Sequence, residues 1–296
     1  MTDNPDLSGI LLLDKPAGIT SNAALSRAKR ILGIKKAGHT GTLDPMASGL
    51  LVLCFGEATK VSAFLLDADK TYQAELRLGV ETDSEDAEGE VIAEHDVPAL
   101  DEAGIEEVLD KFRGPIEQVP PMHSALKHKG KRLYELARKG ETVERPPRAV
   151  TIHKLTLDAV ALPKLRLTVH CSKGTYIRSL ARDIGQVLGC GGHLSALRRT
   201  ASQPFDIRDA TALENLDQLD REQARALLRP ADVALPHLPE IVLDEQQASR
   251  IQQGQKLAGL PVIEEGAVRI YAPQGFIGIG ETDGAGRLRP RRVFNL

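Results

Sequence analysis

No tryptophan occurs in this chain of 296 residues, and aromatic residues together make up only 3% of it. A pocket that stacks a planar group must draw on four tyrosines and six phenylalanines, so each aromatic in a polar setting carries weight. Cysteine is scarce and odd in number. Cys54, Cys171 and Cys190 show no paired spacing, which argues against a disulfide scaffold and for a reducing compartment. Cys190-Gly191-Gly192-His193 is half of a zinc pattern without a second Cys/His pair nearby, so no metal is expected. Long hydrophobic runs are also missing. The apolar run Ile10–Leu13 is far too short to span a bilayer, and the acidic, polar start is no secretory leader. A soluble, cytoplasmic protein is the expectation. With no dinucleotide fingerprint and no phosphate-loop glycines, no cofactor is expected.

What is present is enough apolar material for a sizeable core: 42% of residues are hydrophobic, and the length suits one large domain plus a small one. The net charge of −3 is an unusual balance for a nucleic-acid binder, but the charge is segregated. Thirteen acids lie between Glu81 and Asp110 with no Lys or Arg among them. Basic residues gather in four groups: Arg27 to Lys36, Lys127 to Arg148, Lys164 to Arg199 (with Lys173, Arg178, Arg182 and Arg198), and Arg287 to Arg292. Such segregation permits one acidic and one basic face.

Periodicity predicts a buried strand over 9–14. A helix over Asn22–Leu32 follows, capped by Thr20 or Ser21 and ended by Gly33. Tyr72–Leu78 and Leu165–Cys171 alternate like strands with one wet face. Ile105–Phe112 reads as a short helix stopped by Gly114-Pro115, and Thr175–Leu188 as a helix with Ile177, Leu180, Ala181, Ile184 and Leu188 on its buried stripe. Strands and helices mixed without βαβ regularity favour an α+β fold. Between Pro120 and Pro147 the chain is basic and polar, with a helix-like Leu133–Arg138, and so long a polar stretch inside a domain is usually functional. Arg229–Pro239 reads as a linker. Beyond it come a helix over Gln246–Gln253, capped by Asp244, and strand-like runs at Val268–Tyr271, Phe276–Glu281 and Arg287–Phe294. So few residues make a marginal core alone, so this tail is expected to dock on the main domain.

The most informative stretch is Gly38-His39-Thr40-Gly41-Thr42-Leu43-Asp44-Pro45-Met46-Ala47-Ser48-Gly49-Leu50-Leu51. Pro45 pushes Asp44 away from the α region, and the motif gives that carboxylate no neighbouring acid. A lone nucleophile fits; a turn or cap aspartate is the bland alternative.

This stretch resembles the catalytic motif of the TruB family of pseudouridine synthases, which isomerise a uridine at position 55 in the T-loop of tRNA. Four further blocks resemble the family in its order: Leu11–Pro16, Lys70-Thr71-Tyr72, Gly174–Leu180 and Gly192–Arg199. The resemblance implies a mixed, mainly antiparallel sheet with flanking helices over 1–230 and an RNA-gripping insertion at about 120–148. A small PUA-like β-barrel that binds RNA is implied over 240–296. It implies Asp44 as nucleophile and Arg178 as its partner. By the same resemblance Tyr72 is expected to pack on the uracil and help remove the C5 proton. His39 is expected to hold the T-loop with its uridine turned out, and Tyr176 and Leu197 to contact or wall the base. Lys15 and Pro16 are read as support for the Asp44 loop. A guanidinium can pair a carboxylate through two donors and is expected to lower its pKa. Which atom Asp44 meets first, sugar or base, stays open. The implied partner is tRNA, met by a monomer without metal, cofactor, membrane or obligate protein partner.

Three rivals remain at this stage. A glycoside hydrolase needs a second acid, for which Asp14 or Asp183 are candidates. The others are a non-catalytic RNA-binding protein, against which Asp44, Tyr72 and Arg178 argue, and a related synthase acting on ribosomal or guide-directed RNA.

Overall fold

The computed structural model describes residues 7–124, 126–128, 130–137, 139–262 and 264–295. The acidic start of the chain, Lys129, and Arg138 at the end of the expected Leu133–Arg138 helix lie outside them.

A ten-stranded sheet organises the chain. Its main path runs Thr211–Ala212, Gly9–Lys15, Ser48–Phe55, Gly192–Ser202, Lys70–Leu78, Lys164–Cys171, Arg148–Ala161 and Gly114–Gln118. Two short strands attach at the sides, Ala37–His39 on Ser48–Phe55 and Phe205–Asp206 on Gly192–Ser202. Among the described residues, only two pairings within this sheet are parallel: Gly9–Lys15 with Thr211–Ala212, and Ser48–Phe55 with Gly192–Ser202. The α+β fold with a mixed, mainly antiparallel sheet is therefore the one observed.

The alternation read in the sequence sets the two faces. On one face Leu11, Leu13, Leu51 and Leu53 pack against Ala24, Ala28 and Leu32 of the helix Ser21–Leu32. Further along that face, Leu76, Leu167 and Val169 pack against Leu180, Ala181 and Ile184 of the helix Ile177–Val187. Tyr72 and Leu197 touch both clusters, at the seam between the two helices. The first helix is capped by Thr20, whose hydroxyl accepts from the Ala23 N–H, and ends at Gly33 in the left-handed region at φ 69°.

The other face is covered in part by a C-terminal unit of four strands, Glu240–Val242, Gly266–Ala272, Gly275–Thr282 and Leu288–Val293. The helix Glu245–Gln252 carries a full capping box between Asp244 and Gln247. This small sheet has its own core around Ile251, Val268 and Ile270, and it docks as expected. Ile279 and Phe294 join Ile10, Leu12, Val52 and Phe205 in one cluster, and Lys60 Nζ donates to Val293 O at 2.6 Å.

Several expectations are corrected. Residues 229–239 are not a loose linker: Arg229 exchanges backbone hydrogen bonds with Ile10, and Ala231, Ala234 and Leu235 are buried. Their side chains are apolar and join the cluster of Ile10 and Leu12, so the segment packs into the core. The expected Ile105–Phe112 helix spans Glu102–Asp110, because Asp101 caps it by accepting from the Gly104 N–H. The helix expected from Thr175 starts at Ile177, which puts Arg178 inside its first turn. The polar stretch 120–147 holds a two-stranded hairpin, Lys127–His128 with Lys131–Arg132, followed by the short helix Leu133–Ala137.

Candidate active site

Asp44 sits on the loop that enters the strand Ser48–Phe55, at the point where that strand runs parallel beside Gly192–Ser202. Buried polar groups fix this loop on both sides of the aspartate. Ser21 Oγ donates to Leu43 O at 3.0 Å and accepts from Leu43 N at 2.8 Å. Pro45 O accepts from the Gly18 N–H at 2.8 Å and faces Lys15 Nζ at 3.5 Å. Lys15, fully buried, also donates to Pro16 O and Ile19 O, both at 2.8 Å. Its pKa falls to about 8, because burial disfavours the ammonium more than Asp44 and Glu88 favour it. Arg199 closes the loop from the sheet, donating to Leu50 O at 2.7 Å and Gly41 O at 3.1 Å. Gly49 makes that approach possible: at φ 105°, a Cβ there would lie 2.3 Å from Arg199 O.

Arg178 meets Asp44 from the helix Ile177–Val187, with Nε 3.1 Å from Asp44 Oδ2. The arginine side chain is 6% exposed, whereas 36% of the Asp44 side chain remains open. The rest of the guanidinium is engaged too. Nη1 lies 3.3 Å from Asp86 Oδ2 and donates to Ser84 O at 3.1 Å, and Nη2 donates to His123 O at 2.8 Å. Asp86 is almost fully buried; its other oxygen accepts from Ser84 Oγ at 2.6 Å and from the Glu88 N–H at 3.1 Å.

The electrostatics reverse one expectation. The Asp44 carboxyl is held above its ordinary value, not below it. Burial is the largest cause; Arg178 pulls the pKa down, Asp86 pushes it up, and Lys15 and His123 pull it down. The guanidinium is shared with Asp86, so Asp44 does not receive its full effect.

Of the remaining candidates, Tyr72 and Tyr176 lie near enough to Asp44 to feel its charge, while His39 and Leu197 lie on strands that pair with Ser48–Phe55. Tyr72 stands opposite Arg199 on the neighbouring strand, and Leu197 opposite Ala74. Burial raises the Tyr72 phenol, with Arg199 pulling it back. Tyr176 precedes the Arg178 helix; its N–H donates to Gln118 Oε1 at 3.1 Å, and burial raises its phenol as well. His39 ends its short strand with Nδ1 buried and without a hydrogen-bond partner. Burial and then Arg199 lower its pKa.

Sequence reasoning missed Asp86, Ser84 and the carbonyl of His123. It assigned Asp86 to an acidic surface run, yet Thr82, Ser84, Glu85 and Asp86 are all buried. The signal was available in donor arithmetic: a guanidinium has five N–H donors, and one carboxylate cannot satisfy them. Hydroxyls at Thr82 and Ser84 alternate with the acids only in this part of the run. The third basic group also reads differently in three dimensions. Arg199 is buried, Arg182 pairs with Glu85, Lys164 with Glu75 and Arg198 with Asp14. Asp14 and Asp183, the second acids considered for a hydrolase, are committed to Arg198 and Arg182. Among the described residues no group of three or more His, Cys, Asp or Glu could hold a metal ion, and no helix is long and apolar enough to cross a membrane.

Residues 29–177 match the family described as TruB family pseudouridylate synthase (N terminal domain). Residues 178–236 match tRNA pseudouridylate synthase B C-terminal domain, and residues 239–294 match Pseudouridine synthase II TruB, C-terminal. The tRNA pseudouridine synthase B of Aromatoleum aromaticum is 55% identical over 289 residues, covering 98% of this chain and 93% of that protein. The protein of the same name from Azoarcus sp. is 53% identical over 288 residues, 97% of this chain and 95% of its own length. Among solved structures, a chain of a Cbf5-Nop10-Gar1 complex superposes with a TM-score of 0.72 at 27% identity, covering 95% of this chain and 80% of that one. A chain of an H/ACA RNP bound to a substrate RNA containing 2'-deoxyuridine gives 0.72 at 26% identity, covering 97% and 85%.

Proposed function

The chain belongs to the TruB family of pseudouridine synthases, and from that membership we propose that it converts uridine to pseudouridine at position 55 in the T-loop of tRNA. Asp44 is the nucleophile, acting on a base swung out of its stack. The observation that carries the reading is the ion pair of Asp44 with a buried Arg178, one carboxylate oxygen held and the carboxylate still open to a ligand.

The reaction breaks the N-glycosidic bond, turns the uracil and joins its C5 to C1′; the C5 proton leaves and N1 gains one. No group enters from outside. A carboxylate nucleophile divides this into two easier steps. A carboxylate whose pKa is raised by burial is also the more basic, and so the stronger, nucleophile once ionised. Arg178 keeps it aimed. Extracting the base costs a few kcal/mol and calls for a walled pocket, which we assign to Tyr72, Tyr176 and Leu197. Tyr72 we assign to stack on the base, a role that a buried, neutral phenol suits, and to help remove its C5 proton. His39, half-buried at the end of its short strand, we assign to hold the RNA loop, and Lys15 with Pro16 supports the loop under Asp44.

In this division residues 1–230 form the catalytic domain with the RNA-gripping insertion at about 120–148, and 240–296 form the PUA-like RNA-binding unit. The chain acts as a cytoplasmic monomer without cofactor or obligate protein partner. Transfer RNA is favoured as substrate because the relatives named for it share 53–55% identity. The solved relatives, one of them in an H/ACA RNP bound to a substrate RNA, share 26–27%. Incubation with a uridine-containing tRNA transcript, assayed for both products, tests the reading. The C5-linked isomer without free uracil is expected, and released uracil would point to hydrolysis.

A further inference from the structure

Glu85 is the only residue other than glycine with positive φ among the described residues, at 65°. It is also buried, between the two residues that hold Arg178 from below, Ser84 and Asp86. A side chain in the left-handed region is disfavoured, and such a conformation persists only where its surroundings over-determine it. The turn at Glu85 lets a carbonyl from one side and a carboxylate from the other converge on the same Arg178 nitrogen.

The Glu85 side chain reaches the same helix one turn on. Oε2 accepts from Ser179 Oγ at 2.9 Å, and Oε1 pairs with Arg182 Nη1. Ser179 Oγ also lies 3.2 Å from Val119 O, and Arg182 Nη2 donates to Val119 O at 3.4 Å. The tripeptide 84–86 thus grips the helix Ile177–Val187 at positions 178, 179 and 182, with i and i+4 on one face.

We propose that Glu85 is a positioning residue for the reaction: its strained turn and its bonds to Ser179 and Arg182 fix the angle at which Arg178 presents its guanidinium to Asp44. The inference rests on the reading of Asp44 as nucleophile. The Glu85 carboxylate is engaged by Ser179 and Arg182, not by Asp44.

The test uses the full chain and a tRNA transcript, comparing wild type, Glu85→Gly and Glu85→Gln. Glycine accepts the backbone conformation but removes both bonds; glutamine keeps a hydrogen-bonding group and loses the charge. Single-turnover rate, tRNA affinity and pH profile are measured for each. Glu85→Gly is expected to slow the chemical step by at least about ten-fold, as misplacement of a catalytic group does, with tRNA affinity unchanged. Its acid limb should move to higher pH as Asp44 loses part of Arg178, while Lys15, His123 and Asp86 still face it. Glu85→Gln should fall between. Wild-type rate and pH profile in a folded Glu85→Gly protein would overturn the proposal, as would loss of tRNA affinity in place of rate. If Glu85→Gly does not fold, an unchanged rate and pH profile in Glu85→Gln overturns it. Absence of pseudouridine with the wild-type chain would instead overturn the reading of function beneath it.

Discussion

The loop that carries Asp44 and the basic insertion at 120–148 both lie outside the main sheet, yet the chain treats them in opposite ways. The loop is bolted residue by residue: Leu43 to Ser21, Pro45 to Gly18 and Lys15, Gly41 and Leu50 to Arg199. The insertion is tied at its base, where His123 O meets Arg178 and Pro120 O accepts from Arg145 at 3.0 Å. Beyond that base, Leu133 and Leu136 are its buried anchors, and residues 139–149 are mostly exposed. Fixed geometry is where preorganisation lowers a barrier, and an adaptable arm is where a large ligand can be gripped. On the proposed reading of the insertion as the RNA-gripping segment, the difference separates chemistry from grip.

Asp44→Asn should abolish turnover while tRNA binding persists, measured by pseudouridine formation beside a filter-binding titration. The same variant sharpens the electrostatics. Because the Asp44 pKa is raised in the fold, its ionised form opposes folding, and stability from this group is lost as pH rises through that raised value. Asp44→Asn should remove that slope and be at least as stable as wild type near neutrality by thermal melting. Arg178→Lys comes next, with a rate loss on the order of a hundred-fold, because an ammonium cannot span Asp44 and Asp86 together. Near-normal activity there would remove the ion pair from the mechanism.

Ser21→Ala tests the bolts. It leaves the Leu43 N–H and C=O without their partner and should cost about 1–3 kcal/mol in urea unfolding. Substitution of the exposed Lys131 should leave that stability untouched and weaken only RNA binding. The pH–rate profile of the wild type should show an acid limb above the ordinary aspartate value of 3.8, since an ionised Asp44 is required. The smallest effect is on the arm: tRNA should protect the insertion from protease, and identical cleavage with and without tRNA would break the comparison.

Much of this was legible in the chain. Alternation at Tyr72–Leu78 and Leu165–Cys171 gave a one-sided sheet, and Gly33 and Asp244 marked helix ends because their backbone and side-chain chemistry is local. Asp44 and Arg178, 134 positions apart, could be paired only through the resemblance, and the structure brings them to 3.1 Å. What stayed hidden is long-range polar satisfaction. Asp86 looked like one more surface acid, Arg199 like one more basic-face residue, and Ser21 like a spare helix cap. Each is a buried partner whose need becomes visible only when the tertiary neighbours are known.

The most direct test is to incubate unmodified tRNA transcript with wild type and with Asp44→Asn, and to map pseudouridine nucleotide by nucleotide. The account predicts one modified position with the wild type, the T-loop uridine at 55, and none with the variant. Pseudouridine formed by the Asp44→Asn protein, or modification away from the T-loop with position 55 untouched, would contradict it.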